Sequence, residues 1–188
     1  MEIQADGVAV RTRRGTALAP VTVTLTSGDV VALSGPPGSG HTVLSLVLAG
    51  RMRPTEGAVR IDGRADQRAL AKAVRLVSDQ APFGPEPSLP LSVTVAEALH
   101  LTGRPAHRDD VRRWLDGLDG DARTDATATE RLIPLLTRIA ASTPGVAAVV
   151  VDAPRSANDW DAMRAIADQG VAIAVNTHAD APVDTIRI

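Results

Sequence analysis

The chain has 188 residues, with 20 Lys or Arg against 22 Asp or Glu and a net charge of −2 at pH 7. That length suits one domain with a sizeable core, and so slight a charge gives no reason to expect nucleic acid or an anionic membrane as partner. The absence of cysteine excludes disulfides and thiolate metal sites; no secretory leader is legible and no apolar run approaches the roughly 20 residues that span a bilayer, so a cytoplasmic location is expected.

Up to about residue 29 the pattern is β-rich. Val21, Val23 and Leu25 alternate with Thr22, Thr24 and Thr26, as in a half-buried strand. Ser27, Gly28 and Asp29 turn into an apolar strand over 30–33. A helix is expected over about 42–51, then a turn at Pro54, Thr55, Glu56 and Gly57 and a strand over 58–61. A short helix (69–74) and a short strand (74–77) come next. Pro82, Pro85, Pro87 and Pro90 mark 81–92 as a loop. Helical spacing returns at 95–101, at 109–118 through Val111, Trp114, Leu115 and Leu118, and around Leu132, Leu135, Leu136 and Ile139. Residues 146–151 are an unbroken apolar run, the mark of a fully buried parallel strand. A helix over 160–167 and a strand over 171–175 complete the order. Strands alternating with helices predict an α/β fold, with a mostly parallel sheet and an antiparallel β edge. Trp114 and Trp160, each on an apolar helix face, read as core anchors.

Between the strand at 30–33 and its helix lie Gly35, Pro36, Pro37, Gly38, Ser39, Gly40, His41, Thr42 and Val43. The glycines and Thr42 match the phosphate-loop spacing G-x-x-x-x-G-K-[ST] everywhere except position 41, where His replaces Lys. Small residues let successive N–H groups turn around a phosphate, and the helix N-terminus adds its positive dipole end. The alternative is an ordinary strand–turn–helix corner; the strand before and helix after favour a P-loop. The chain is rich in Arg, with Lys72 its only Lys. That bias would turn Lys into Arg, so it does not account for His41.

Further landmarks give the chain a resemblance to the nucleotide-binding domain of ATP-binding-cassette (ABC) transporters over almost its full length. The run Leu48, Ala49, Gly50, then Pro54, Thr55, Glu56, Gly57, and then Asp62, Gly63 is similar to that family's P-loop helix end, turn and following strand. The resemblance implies a P-loop NTPase fold of ABC ATPase type, one domain over 1–188 with a shortened helical subdomain over about 99–142. It implies ATP or ADP with Mg²⁺ as cofactors. It places Gln80 at the glutamine that approaches metal and attacking water, and His178 at the switch histidine. Asp152 falls at the metal-associated carboxylate, so that Thr42, Gln80 and Asp152 are the expected metal residues. Ser156, Ala157, Asn158 and Asp159 fall at the D-loop, which touches the opposite subunit of a nucleotide-sandwich dimer.

Several positions depart from the family pattern. Ala153 occupies the place of the glutamate that polarises water. Counting back from Arg138, the signature segment becomes Ala126, Thr127, Ala128, Thr129 and Glu130, without its glycines. No aromatic residue stands near Thr12 to stack on adenine. A neutral imidazole is a weak substitute for the P-loop lysine, and losing a general base removes roughly 10²–10⁴-fold in rate. Three readings follow: a degenerate subunit binding nucleotide weakly and acting as partner or regulator of a transporter, an active ATPase with noncanonical residues, or a small P-loop kinase. The last fits worst, because the D-loop and switch histidine follow the ABC pattern. The expected partners are a membrane permease or a second ABC subunit, with the chain peripheral at the inner face of the cell membrane and a monomer or weak dimer in isolation. Phe83, in the proline-rich loop after Gln80, reads either as a core side chain or as an apolar contact with a permease.

Overall fold

The computed structural model describes residues 1–78, 84–86, 88–116, 132–153 and 159–188, and those residues build two sheets. The β-rich start makes an antiparallel one. β1 (Glu2–Thr12) pairs with β2 (Gly15–Thr26) on one edge and β4 (Glu56–Ile61) on the other. Val21, Val23 and Leu25 are buried while Thr22, Thr24 and Thr26 face solvent, as their alternation requires.

The second sheet is parallel, in the order β5 (Val74–Ser78), β6 (Ala148–Asp152), β7 (Ala172–Thr177), β3 (Val30–Ser34), β8 (Asp184–Arg187). Every residue of β6 and β7 is buried, which demands cover on both faces. Strand periodicity shares the side chains between two cores. Ala148, Val150, Ala172 and Ala174 point toward the antiparallel sheet and α1 (His41–Leu48), meeting Leu44, Val47 and Leu48. Val149, Val151, Ile173 and Val175 point the other way, onto Met163, Ile166 and Ala167 of α6 (Trp160–Ala167). α2 (Gln67–Ala73) lies between β4 and β5, and its N-terminus is held by the Asp66 side chain, which accepts from the Arg68 and Ala69 amides.

A third core joins α3 (Leu91–Leu101), α4 (Arg108–Asp116) and α5 (Leu132–Ala141) through Leu91, Val95, Leu99, Val111, Leu115, Leu132, Leu135 and Ile139. α5 is two-faced: Ile133, Ala140 and Ala141 belong to the sheet-side core. It therefore couples the helical cluster to β6.

The α/β architecture is the expected one, with the antiparallel strands forming a sheet of their own beside the parallel one. Element limits differ for local reasons. α3 begins at Leu91, inside the stretch read as a loop, because Pro90 precedes the helix and Leu91, Val95 and Leu99 already share a face. α1 ends at Leu48, and Gly50 turns away with φ 65°. β7 runs on to Thr177, since polar Asn176 and Thr177 find partners inside the fold. β8 was not anticipated; it is a mostly exposed edge strand of four residues with no long apolar run. Trp114 and Trp160 are only partly buried. Trp114 has the guanidinium groups of Arg138 and Arg104 at 4.9 and 5.7 Å from its ring centre, and Arg138 donates to its carbonyl.

Candidate functional site

β3 lies between β7 and β8, so the chain leaving Ser34 emerges at the end of the parallel sheet, beside the ends of β6 and β7. The corner that follows depends on glycine. Gly40, the N-cap of α1, has φ 110°, and a Cβ there would sit 2.7 Å from the Ala17 carbonyl oxygen. A Cβ on Gly35 would meet Ser39 Oγ at 2.6 Å and the Ile188 carbonyl at 2.7 Å. Ser39 N donates to Pro36 O, and the first bond of α1 is Leu44 N to Gly40 O. The amides of Gly38, Gly40, His41, Thr42 and Val43 have no partner among the described residues. Free amides opening an eight-residue helix with no acidic residue in its first turn are suited to an anion.

His41 does not point a charge at that space. Its side chain is buried, with Nε2 3.2 Å from Thr177 O and Nδ1 3.3 Å from Ser39 Oγ. A carbonyl only accepts, so Nε2 carries the proton and donates; Nδ1 of the neutral ring accepts from the Ser39 hydroxyl. Burial holds the imidazole below its ordinary value of 6.5, and the neighbouring His178 pushes the same way. Hydrogen bonds to Thr177 and Leu33 and the charge of Asp152 oppose this without reversing it. His41 is therefore neutral at pH 7. Exposed His178 lies edge-on to it, ring centres 5.0 Å apart, and donates from Nδ1 to Gly35 O at 3.0 Å. The two histidines brace the start of the loop against the end of β7.

Asp152 ends β6 and is buried, with its backbone carbonyl accepting from Ser78 Oγ. Its Oδ1 accepts from Asn176 Nδ2 at 2.6 Å, and Oδ2 has no hydrogen-bond partner among the described residues. Thr42, in the first turn of α1, is exposed. A hydroxyl and one open carboxylate oxygen are hard donors that fit Mg²⁺, which fills its remaining positions with water and phosphate oxygens. Among the described residues no cluster of three or more His, Cys, Asp or Glu could hold a metal without such help. Ala153 is fully buried in the α6-side core; a methyl group there neither accepts a proton nor orients a water.

The structure thus brings together the loop from Gly35 to Val43, Asp152 and His178. Asp159 has a local duty, accepting from Ala162 N at the start of α6. Gln80, Phe83, the segment Ala126, Thr127, Ala128, Thr129 and Glu130, and Ser156, Ala157 and Asn158 lie outside the described residues. Sequence reasoning missed Asn176 and Ser45. The available signal was a lone polar residue closing the apolar strand before Thr177, and a serine on the apolar face of α1 between Leu44 and Val47.

The ABC transporter family model matches residues 18–135. A hemin import ATP-binding protein of Myxococcus xanthus is 31% identical over 134 residues, covering 70% of this chain and 48% of that protein. A putative ABC transporter ATP-binding protein of Streptomyces avermitilis is 30% identical over 190 residues, 92% of this chain and 33% of that one. The chain thus spans half or less of these two relatives. Among solved structures, a putative ABC transporter ATP-binding protein from Pyrococcus furiosus superposes with a TM-score of 0.76 at 13% identity, covering 100% of this chain and 97% of that one. An ATP-binding cassette in a dimeric post-hydrolysis state bound to ADP and phosphate gives 0.66 at 19% identity, covering 94% and 88%. At such identities these two likenesses speak for the fold.

Proposed function

The chain belongs to the ABC transporter family, and from that premise we propose that it is a degenerate ATP-binding subunit. In this reading it binds ATP or ADP weakly through residues 35–43, turns nucleotide over negligibly, and serves as partner or regulator of a membrane transporter. It works as one domain over 1–188, with its helical subdomain facing a permease or a second ABC subunit at the inner face of the membrane.

The observation that carries this reading is His41. Phosphoryl transfer in P-loop proteins is mostly positioning and charge neutralisation. The side chain at the lysine position is short, buried, neutral and spent on Thr177 O. Backbone amides remain for the phosphates, and Thr42 and Asp152 for Mg²⁺, which supplies charge neutralisation when bound. Ala153 leaves no carboxylate for the water, a further loss of about 10²–10⁴-fold. The segment from Ala126 to Glu130 would offer side chains and a negative charge where glycines normally approach the partner's γ-phosphate. These losses do not add simply, yet all act against hydrolysis.

Two experiments test the reading. Calorimetric titration should give weak binding of ATP with little preference over GTP, because the sequence around Thr12 offers no aromatic residue to stack on the base; tight, strongly ATP-selective binding would count against it. Sedimentation with and without Mg-ATP should show no nucleotide-driven change of mass. A clean shift from monomer to dimer on adding ATP would mean that the signature-like segment still grips the γ-phosphate.

A further inference from the structure

Asn176 is the residue through which the buried polar groups of the site are joined. It sits on β7 with no exposure, across from Leu33 of β3 and level with the end of β6. Its Nδ2 donates twice, to Asp152 Oδ1 at 2.6 Å and to Ser45 Oγ at 2.9 Å. The Ser45 hydroxyl then donates to His41 O at 2.9 Å. The amide cannot be turned over, because an ionised carboxylate only accepts. Asn176 Oδ1 is buried without a hydrogen-bond partner among the described residues. A buried acceptor left unsatisfied carries a desolvation cost, which Val or Leu at this strand position would not incur. The two donated bonds are what sets Asn176 apart from such a residue. They hold one oxygen of Asp152 and tie it to α1, the helix whose first turn carries Thr42, while Oδ2 stays without a partner among the described residues.

We propose that Asn176 is the positioning residue for Asp152: by fixing Oδ1 it leaves Oδ2 available to hold Mg²⁺, and Mg²⁺-assisted nucleotide binding depends on it. This rests on reading residues 35–43 as the nucleotide site. Groups that hydrogen-bond to a metal-side carboxylate set its orientation, and their removal typically lowers metal affinity about 10–100-fold. Ser45 is the far anchor, since it limits rotation of the Asn176 carboxamide.

The test is calorimetric titration of the whole chain with ADP, in Mg²⁺ and in EDTA, for the natural protein, Asn176→Leu and Ser45→Ala. The quantity read is the ratio of the two dissociation constants. The natural chain should bind ADP more tightly in Mg²⁺. Asn176→Leu should lower that enhancement about 10-fold or abolish it, and Ser45→Ala should lower it by a smaller factor. Equal weakening in both arms would mean a merely structural role and overturns the proposal. An enhancement left intact in both variants overturns it too, while sparing the nucleotide site. No ADP binding by the natural chain in either arm overturns both. If Asn176→Leu does not fold, the Ser45→Ala ratio decides alone.

Discussion

The loop that opens α1 and the strand ends beside it make an instructive pair. The loop is built from backbone: its free amides and its turn at Gly40 rest on close packing against Ala17 and Ile188. The ends of β6 and β7 contribute side chains, and there the chemistry has changed. Ala153 is a buried methyl, and Asp152 is held by a neutral amide. His41, which starts the helix, has turned its ring toward the β7 side. A backbone cradle is protected by packing, because altering it disturbs the fold. A catalytic side chain can be replaced singly at little structural cost. On the proposed reading, the contrast explains how a phosphate-binding corner can persist where the charges that act on phosphate do not.

The most damaging change should fall on the backbone side. Gly40→Val must place a branched side chain at φ 110° and 2.7 Å from the Ala17 carbonyl. Backbone strain and overpacking together should cost about 2–6 kcal/mol, read as a lowered urea midpoint with loss of ADP binding. A folded, ADP-binding variant would break the comparison.

On the side-chain side, Ala153→Glu puts a carboxylate into the apolar α6-side core rather than the site. We expect about 2–5 kcal/mol of destabilisation and no turnover. A stable variant that hydrolyses ATP would mean that the position still faces the water. His41→Lys should strengthen ADP binding about 10-fold, the scale of one added charge-assisted bond. Turnover should not rise, because Ala153 remains; a gain from this change alone would place the base elsewhere.

The smallest effect sharpens the reading of His41. Its folded pKa lies below the unfolded value of 6.5, so the unfolded chain takes up the proton first as pH falls. The stability contributed by neutral His41 is present in full above about 6.5 and is lost progressively as pH drops below it toward the folded pKa. Urea midpoints at pH 7.5 and 5.5 should therefore differ less in His41→Gln than in the natural chain. An unchanged pH slope would assign the titration to another group.

Much of this was legible in the residues. The glycine spacing located the cradle, because only small residues tolerate the contacts at Gly35 and Gly40. The apolar run at 146–151 located β6, because a parallel strand must be buried on both faces. The start of α3 was masked by prolines, which are tolerated just before a helix. β8 was missed because a short, mostly exposed edge strand needs no apolar pattern. Asn176 escaped notice for a different reason: a polar residue at a strand end reads as solvent-facing. Only the three-dimensional neighbours, Asp152 from β6 and Ser45 from α1, give it a place. His41 was recognised as a departure, but its turn toward Thr177 was not readable in one dimension.

The most direct test of the central claim is steady-state hydrolysis of Mg-ATP by the purified chain, run beside Thr42→Ala. The account predicts no rate above that of the Thr42→Ala control. A rate of about 1 s⁻¹ or faster, abolished by Thr42→Ala, would contradict it.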